Sequence, residues 1–325
     1  MRLVRIGDLG VELDLDAPAE HRVGNFVNCI TDEAVDGAGR YRLRLAAGDH
    51  ARFVMDPGNR TMSLTIPPVR AERDQAIVEI GLLQALTRGI AFIEAANLRT
   101  AGSTALLHGS SLAVADDCAV AVLDGGLGQG KTSLTMGLAA RYGQLMVDEF
   151  TFVTIARPKV TVLPAPHWPW HVRRDMAPHL LPADARGRLL FASDLHRIAT
   201  TADQAATLRM VIIPDRGLPA GQTVDVPSAE ARHLLRCAVT DHLSKLVDPG
   251  LDHVSIFESS EQVATADGTP LQIRAAMPTH ETERVLDALV VVAAIRVGIG
   301  APADLPASVT AAGDRLTELL PWYGR

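Results

Sequence analysis

Short apolar segments separated by polar turns fill the first part of the chain. Side chains there alternate between apolar and polar, or are rich in β-forming types, which predicts strands over residues 3–6, 41–45, 52–55 and 62–66. Clusters of Gly, Asp and Pro separate these segments. From residue 71 to residue 98, apolar side chains recur every three or four positions, which predicts a long helix. Residues 1–100 are therefore interpreted as a β-rich accessory region that ends in this bridging helix.

Apolar runs alternate with helical repeats in residues 101–325, which predicts a mixed α/β (α+β) domain. The runs that predict strands cover residues 105–114, 119–123, 145–147, 150–153, 159–163, 208–213, 253–257 and 271–275. The repeats that predict helices cover residues 133–141, 229–246 and 282–297, and a short final helix is expected after a linker over 302–306. The segment 282–297 is apolar nearly all round, so we expect a buried helix there.

A glycine-rich loop stands between the predicted strand 119–123 and the predicted helix 133–141. It matches the phosphate-binding pattern G-x-x-x-x-G-K-[ST], the Walker A motif, at every fixed position. Glycines let backbone N–H groups approach anionic oxygens, and the helix that follows adds its positive N-terminal end. The predicted nucleotide-binding residues are Gly125, Gly126, Leu127, Gly128, Gln129, Gly130, Lys131, Thr132 and Ser133.

Within this loop, Lys131 is expected to reach the β- and γ-phosphates, and the Thr132 hydroxyl is expected to bind Mg²⁺. The motif predicts a nucleoside triphosphate as ligand. Nothing in the sequence distinguishes ATP from GTP, and ATP is the expected nucleotide. A glycine turn that binds nothing is the alternative interpretation.

His108 lies on the strand predicted before the loop strand. If the turn between these strands centres on residues 116–117, Val114 pairs with Ala119, and counting outward places His108 opposite Gly125. This position favours a role near phosphate or metal. A hydrogen-bonded structural histidine is equally typical of a strand, so both interpretations remain open.

Two acids, Asp148 and Glu149, follow the predicted strand 145–147. Open α/β sheets bind their ligands at the carboxyl ends of strands. One helix separates the glycine-rich loop from this strand, so we expect the strand to return beside the loop strand. Neighbouring residues on a strand point to opposite faces, so both acids can serve one site only if the strand breaks there. A solvated acidic turn is the alternative.

Composition narrows the classes of function. The chain of 325 residues is 47% hydrophobic, which allows a large core, and its net charge of −7 argues against a broad nucleic-acid surface. Its cysteines, Cys29, Cys118 and Cys237, lack metal-binding spacing, which is typical of a reducing compartment. The first residues lack the apolar core of a signal peptide, and the longest apolar run, 288–295, is too short to span a bilayer. We therefore expect a soluble, cytoplasmic protein with no nucleic-acid or membrane partner.

A proline-rich segment in the middle of the chain carries two of its three tryptophans. His167 and His171 have the spacing of metal ligands on a helix, but Pro169 between them disfavours a helix, so no zinc site is expected. Arg173 and Arg174 are candidate ligands for an acceptor or a γ-phosphate. Exposed loop arginines are the alternative interpretation.

Taken together, the histidine His108 before a hairpin, the glycine-rich loop, and the pair Asp148 and Glu149 one helix later resemble the catalytic domain of HPr kinase/phosphorylase. That family looks related to phosphoenolpyruvate carboxykinases through its nucleotide-binding core. The resemblance covers residues 104–155. It implies a P-loop core with a mixed sheet, joined here to the β-rich N-terminal region.

The resemblance also implies roles for individual residues. Lys131 and the loop glycines would hold the phosphates of ATP, and His108 would lie near the transferred phosphate. Thr132 would bind Mg²⁺ where the family usually has Ser. Asp148 would be the base for the acceptor hydroxyl, and Glu149 would lie near the metal where the family usually has Asp. Both acids are thus candidate metal ligands beside Thr132.

The expected reaction is transfer of the γ-phosphoryl group from ATP to a hydroxyl of a peptide, a protein or a small molecule. Relatives commonly self-associate, so a homo-oligomer is compatible with the resemblance. Two other functions remain open: a nucleotide-binding regulatory module without catalysis, and a simple ATPase. Acceptor-dependent consumption of ATP would separate the kinase from both alternatives.

Overall fold

The computed structural model describes residues 2–6, 9–16, 41–68, 104–115, 117–123, 130–156, 159–164, 170–172, 175–181, 189–190, 195–247, 263–265, 280–289 and 292–319. The chain divides into two units. The first unit comprises Met1–Ala101 and Thr240–Pro278, and the second comprises Gly102–Val239 and Thr279–Arg325. The structure therefore groups residues 240–278 with the N-terminal region, whereas the division made from the sequence groups them with residues 101–325.

The strands are β1 (Arg2–Ile6), β2 (Leu9–Leu15), β3 (Tyr41–Ala47), β4 (Arg52–Asp56), β5 (Thr61–Ile66), β6 (Thr104–Ala115), β7 (Cys118–Leu123), β8 (Gln144–Val147), β9 (Phe150–Ala156), β10 (Lys159–Leu163), β11 (Trp170–His171), β12 (Leu189–Leu190), β13 (Ala206–Asp215), β14 (Thr223–Asp225), β15 (Val263–Thr265) and β16 (Ala293–Gly298). The helices are α1 (Lys131–Tyr142), α2 (Ala177–Leu180), α3 (Ser228–Val247), α4 (His280–Leu289) and α5 (Leu305–Leu319), with a 3₁₀ turn at Pro302–Asp304 before α5. Helices and strands are thus mixed, as the sequence predicts.

The first unit contains a six-stranded sheet in the order β1-β2-β3-β5-β4-β15. Along β3, Tyr41, Leu43 and Leu45 are buried while Arg42 and Arg44 are exposed. This alternation is typical of a sheet that buries one face and leaves the other to water. The predicted strands of the N-terminal region are observed, and β2 is an additional strand whose alternating apolar residues carry the same signal.

The second unit is built on an eight-stranded sheet in the order β10-β9-β6-β7-β13-β16-β14, with β8 paired to β6. All six side chains of β7 are buried, because apolar clusters cover both faces of the sheet. One cluster includes Leu134 of α1 and Val309 of α5, and the other includes Leu235 of α3 and Leu286 of α4. Helices therefore pack on both faces of this sheet, as in other α/β folds.

Three parallel strands of this sheet end at the same edge. β13 pairs in parallel with both β7 and β16, and their last residues are Leu123, Asp215 and Gly298. β6 runs antiparallel to β7, so its early residues, His108 and Gly109, lie level with the end of β7. This edge is where α/β sheets place their ligands.

The structure corrects the helix predicted over residues 282–297. Helix α4 ends at Leu289, and the segment Ala293–Gly298 is strand β16. Short apolar runs suit a buried strand as well as a buried helix, so periodicity alone cannot separate the two. Ile295 and Val297 within β16 are β-branched, and such side chains favour the extended form. The predicted helix 71–98 and the predicted strands 253–257 and 271–275 lie outside the described residues.

The remaining predicted elements of the second unit are observed with small shifts of their ends, such as α3 for the helix predicted over 229–246. The linker expected over 302–306 is a 3₁₀ turn that leads into α5. Among the helices that the structure describes, none is long and apolar enough to cross a bilayer.

Candidate nucleotide site

A two-residue break in one strand creates the acidic part of the site. Strands β8 and β9 both pair with β6, and only Asp148 and Glu149 separate them. Glu149 has a φ of 63°, in the left-handed region that side chains other than glycine rarely adopt. In an unbroken strand the two carboxylates would point to opposite faces. The break turns both toward the start of α1, which is the condition under which both acids can serve one site.

Gly109, which the sequence analysis did not single out, holds this break in place. Its N–H donates to the Glu149 carbonyl at 3.2 Å, and its own carbonyl accepts from Thr151 Oγ1 at 3.1 Å. A Cβ added at Gly109 would lie 2.8 Å from Leu123 Cδ2 and 2.9 Å from the Val122 carbonyl oxygen. A glycine inside a strand pattern is a sequence signal for a bulge or for close backbone approach, and it could have identified this residue.

Helix α1 begins without a side-chain cap. Gly130, at the N-cap position, has a φ of 89°, and no side chain there accepts a hydrogen bond from the first turn. The first turn also contains no acidic residue. The backbone N–H groups at the start of a helix carry partial positive charge, so this end of α1 is suited to an anion.

Lys131 lies in a triangle with His108 and Glu149. Its Nζ is 3.2 Å from Glu149 Oε2 and 3.1 Å from His108 Nε2, and the same two atoms of His108 and Glu149 are 3.1 Å apart. His108 Nε2 can either donate to the carboxylate or accept from the ammonium group, depending on its tautomer. Lys131 is 8% exposed and Glu149 is 25% exposed, so the cation is buried beside an anion that solvent still reaches.

The other acid, Asp148, is hydrogen-bonded to Thr132, the last fixed position of the phosphate-binding pattern. Thr132 Oγ1 lies 3.0 Å from Asp148 Oδ1 and 3.2 Å from Oδ2, so the hydroxyl donates to the carboxylate. Asp148 is 1% exposed. This burial raises the pKa of Asp148 to about 6, and the charge of Glu149 adds to the rise. The charge of Lys131 and the hydrogen bonds from Thr132 and the Glu149 backbone oppose it.

The residues present fit a magnesium ion held together with a nucleotide. Thr132 and the two carboxylates offer the hard oxygen ligands that Mg²⁺ prefers. Within the described parts of the chain, no group of three or more His, Cys, Asp and Glu side chains is arranged to hold a metal by itself.

Five of the predicted site residues meet at this point: His108, Lys131, Thr132, Asp148 and Glu149. Gly130 caps α1, and Ser133 is buried in its first turn. Other predicted residues lie outside the described residues, namely Gly125, Gly126, Leu127, Gly128, Gln129, Arg173 and Arg174.

Two sequence-based expectations about the sheet are wrong. The predicted register sets His108 opposite Gly125. The observed register differs from it by one residue, since Gly109 pairs with Leu123. The cause is a shift in the pairing between Ala113 and Ala115. An irregularity of this kind in one strand moves every later pair by one residue. The strand after α1 also does not return beside the loop strand: β8 pairs with β6, because β13 takes the free edge of β7.

The comparisons with known proteins add little to this geometry. The sequence matches no family model and no curated protein. Among solved structures, the HPr(Ser) kinase/phosphatase from Coxiella burnetii is similar to part of the chain, with 14% sequence identity and a TM-score of 0.23. The match covers 33% of this chain and 63% of that protein's chain, so this chain spans less than two thirds of its length. No activity follows from a similarity at this level.

Proposed function

We propose that this protein is an ATP-dependent, Mg²⁺-assisted phosphotransferase of the HPr-kinase-like type, with a P-loop core like that of phosphoenolpyruvate carboxykinases. It transfers the γ-phosphoryl group to a hydroxyl of a peptide, a protein or a small molecule. The observation that carries the proposal is the meeting of a buried lysine, an uncapped helix start and two acids at one point.

Phosphate recognition follows from the charges at this point. The start of α1 offers backbone N–H groups to an anion, and Lys131 Nζ adds a cation within reach of the same place. Glu149 Oε2 lies 3.2 Å from Lys131 Nζ, so a phosphate oxygen that binds the lysine would meet this carboxylate. A bound triphosphate therefore competes with Glu149 for the lysine.

The chemistry is a balanced phosphoryl transfer. The acceptor hydroxyl oxygen forms a bond to the γ-phosphorus, the bond from that phosphorus to the β-bridging oxygen breaks, and ADP leaves with the electron pair. The proton of the acceptor hydroxyl passes to a carboxylate. Mg²⁺, when bound, neutralises charge on the phosphate oxygens. By the family resemblance alone, Asp148 would be this proton acceptor and Glu149 would be the acid beside the metal.

The test is calorimetry followed by turnover, using the full chain. ATP with Mg²⁺ is titrated into the wild-type protein and into Lys131→Met, which keeps an unbranched side chain one atom shorter and removes its charge. Consumption of ATP is then measured with and without pooled hydroxyl-bearing peptides and sugars, and products are examined by mass spectrometry for one added phosphate.

The proposal expects binding to the wild type, loss of binding in the variant, and acceptor-dependent consumption of ATP. A wild-type protein that ignores Mg²⁺ and ATP in the calorimeter would overturn it. Consumption of ATP at the same rate without any acceptor would instead support a simple ATPase. Binding with no consumption under any condition would support a regulatory module.

A further inference from the structure

We propose that burial decides the roles of the two acids, Asp148 and Glu149, and that these roles are the reverse of those that the family resemblance implies. Glu149 is the catalytic carboxylate that meets the attacking hydroxyl, or water, and takes its proton. Asp148 is a positioning residue that acts through the Thr132 hydroxyl. This inference rests on the proposed function and assigns roles within the same site.

Asp148 is poorly placed to meet an acceptor. It is 1% exposed, and both of its carboxylate oxygens lie within hydrogen-bond distance of Thr132 Oγ1, at 3.0 and 3.2 Å. An incoming hydroxyl would have to enter the protein interior to reach this carboxylate. A general base needs direct contact with the proton that it removes, or contact through one water.

The same contact suits Asp148 to a positioning role. When the Thr132 hydroxyl donates its hydrogen to Asp148, its lone pairs are left to face away from the carboxylate. A hydroxyl fixed in this way presents an oxygen to a hard cation and cannot turn its hydrogen toward it. Asp148 therefore fixes the orientation that a metal-binding hydroxyl requires.

Glu149 has the exposure that Asp148 lacks. Its side chain is 25% exposed, and Oε2 lies 3.2 Å from Lys131 Nζ, the group expected to hold the γ-phosphate. The left-handed backbone at residue 149 directs the longer side chain to this position at a conformational cost. Strain of this kind persists where the surrounding structure holds it, as the Gly109 hydrogen bond does here.

The transfer step then uses Glu149 as follows. Lys131 leaves Glu149 for the phosphate oxygens, and His108 Nε2, 3.1 Å from Oε2, remains as a hydrogen-bond partner of the carboxylate. The acceptor oxygen bonds to the γ-phosphorus as its proton passes to Glu149. The bond from phosphorus to the β-bridging oxygen breaks, and ADP leaves with that electron pair.

Two amide variants of matched size separate the roles: Asp148→Asn and Glu149→Gln. ATP affinity is measured by calorimetry with Mg²⁺ and with EDTA, and ATP consumption is measured in parallel. Asp203→Asn, an exposed acid outside the site, is the control, and a thermal melt checks that each variant folds.

In Asp148→Asn, the gain in ATP affinity that Mg²⁺ provides should fall about tenfold or more, since losing an outer partner of a metal ligand typically has that effect. In Glu149→Gln, this gain should remain, and turnover should fall about 100-fold or more, as expected for loss of a general base. A double variant tests whether Asp148 acts through Thr132: adding Asp148→Asn to Thr132→Ala should cause no further loss of the Mg²⁺ effect.

The opposite pattern would overturn the inference: an Asp148→Asn protein that keeps the Mg²⁺ effect but loses turnover, with Glu149→Gln losing the Mg²⁺ effect. If the wild type binds ATP with Mg²⁺ but never consumes it, Glu149 is not a catalytic base and the protein is not a phosphotransferase. In that case the calorimetry still decides whether Asp148 positions Thr132. A wild type without any Mg²⁺ effect on ATP affinity defeats the assignment of Asp148.

Discussion

Two clusters of charge lie at the carboxyl ends of the second unit's strands, and they differ in burial and in backbone strain. In one, Arg296 of β16 bonds to Asp215 at 2.8 Å and to Glu230 at 2.6 Å, and these side chains are 26%, 23% and 43% exposed. In the other, Lys131 is 8% exposed, and its partner Glu149 has a left-handed backbone.

This difference separates an ordinary ion pair from a candidate site. The Arg296 cluster is partly exposed, and its bond to Glu230 raises the pKa of the arginine, so the charges stabilise one another. The Lys131 cluster holds a buried cation, and the neighbouring Asp148 has its pKa raised by burial. Charges held in an unfavourable state are typical of functional sites, because a ligand relieves the cost.

The largest expected difference between the clusters concerns nucleotide affinity. Lys131→Met should lower ATP affinity about 100-fold or more, since it removes a charge-assisted contact to phosphate, roughly 3 kcal/mol. Arg296→Met should leave ATP affinity within about twofold, because its partners already satisfy it. Calorimetry measures both. Equal losses of ATP affinity in Lys131→Met and Arg296→Met would show that the two clusters do not differ in nucleotide binding.

A second expected difference is a pH dependence of stability that comes from Asp148. Its folded pKa of about 6 lies above its unfolded value of about 3.9. Between about pH 4 and pH 6, Asp148 therefore keeps its proton in the native state and releases it in the unfolded chain. The free energy of unfolding that this group contributes is lost as the pH rises through that range. Relative to wild type, Asp148→Asn should gain on the order of 2 kcal/mol between pH 4 and pH 7.

Urea unfolding in EDTA without nucleotide measures this gain, because a bound metal would alter the titration. The exposed Asp203→Asn protein should follow the wild-type curve across the same pH range. Parallel curves for wild type and Asp148→Asn would contradict the raised pKa.

The third expected effect isolates the backbone strain at Glu149. Glu149→Ala and Glu149→Gly both lose the carboxylate, but only glycine adopts a φ of 63° without steric cost. The glycine variant should therefore be more stable than the alanine variant by about 1 kcal/mol. Arg60 in the first unit has a φ of 53°, so Arg60→Gly should likewise be more stable than Arg60→Ala. An alanine variant at residue 149 that is as stable as the glycine variant would show that the strain is absent.

The smallest expected effect belongs to the Arg296 cluster. Arg296→Met should lower the free energy of unfolding by about 1 kcal/mol or less, since its ion pairs are partly exposed. This loss should shrink at high salt, which screens the wild-type pairs. Chemical denaturation at low and at high NaCl measures it. A large, salt-independent loss would mean that Arg296 acts through packing.

Local pattern was sufficient to predict most elements near the site. The buried run of β7, the helix after the glycine-rich loop and the strand before Asp148 all followed from apolar periodicity. Periodicity failed at residues 293–297, where a buried strand and a buried helix have the same apolar pattern. It also gave no warning of the register shift near Val114, because irregular pairing depends on both strands.

The sequence by itself determined which functional groups the site contains. These are a lysine and a hydroxyl directly after a glycine-rich loop, a histidine before them, and two acids after them. These follow from residue types and spacing along the chain. Only the tertiary structure decided which acid is buried against Thr132 and which is exposed beside Lys131. The reason is that side-chain direction at residues 148 and 149 depends on the left-handed backbone of Glu149. Gly109, far earlier in the sequence, holds that backbone through a hydrogen bond. Distant parts of the chain fix such a conformation, and local spacing does not encode it.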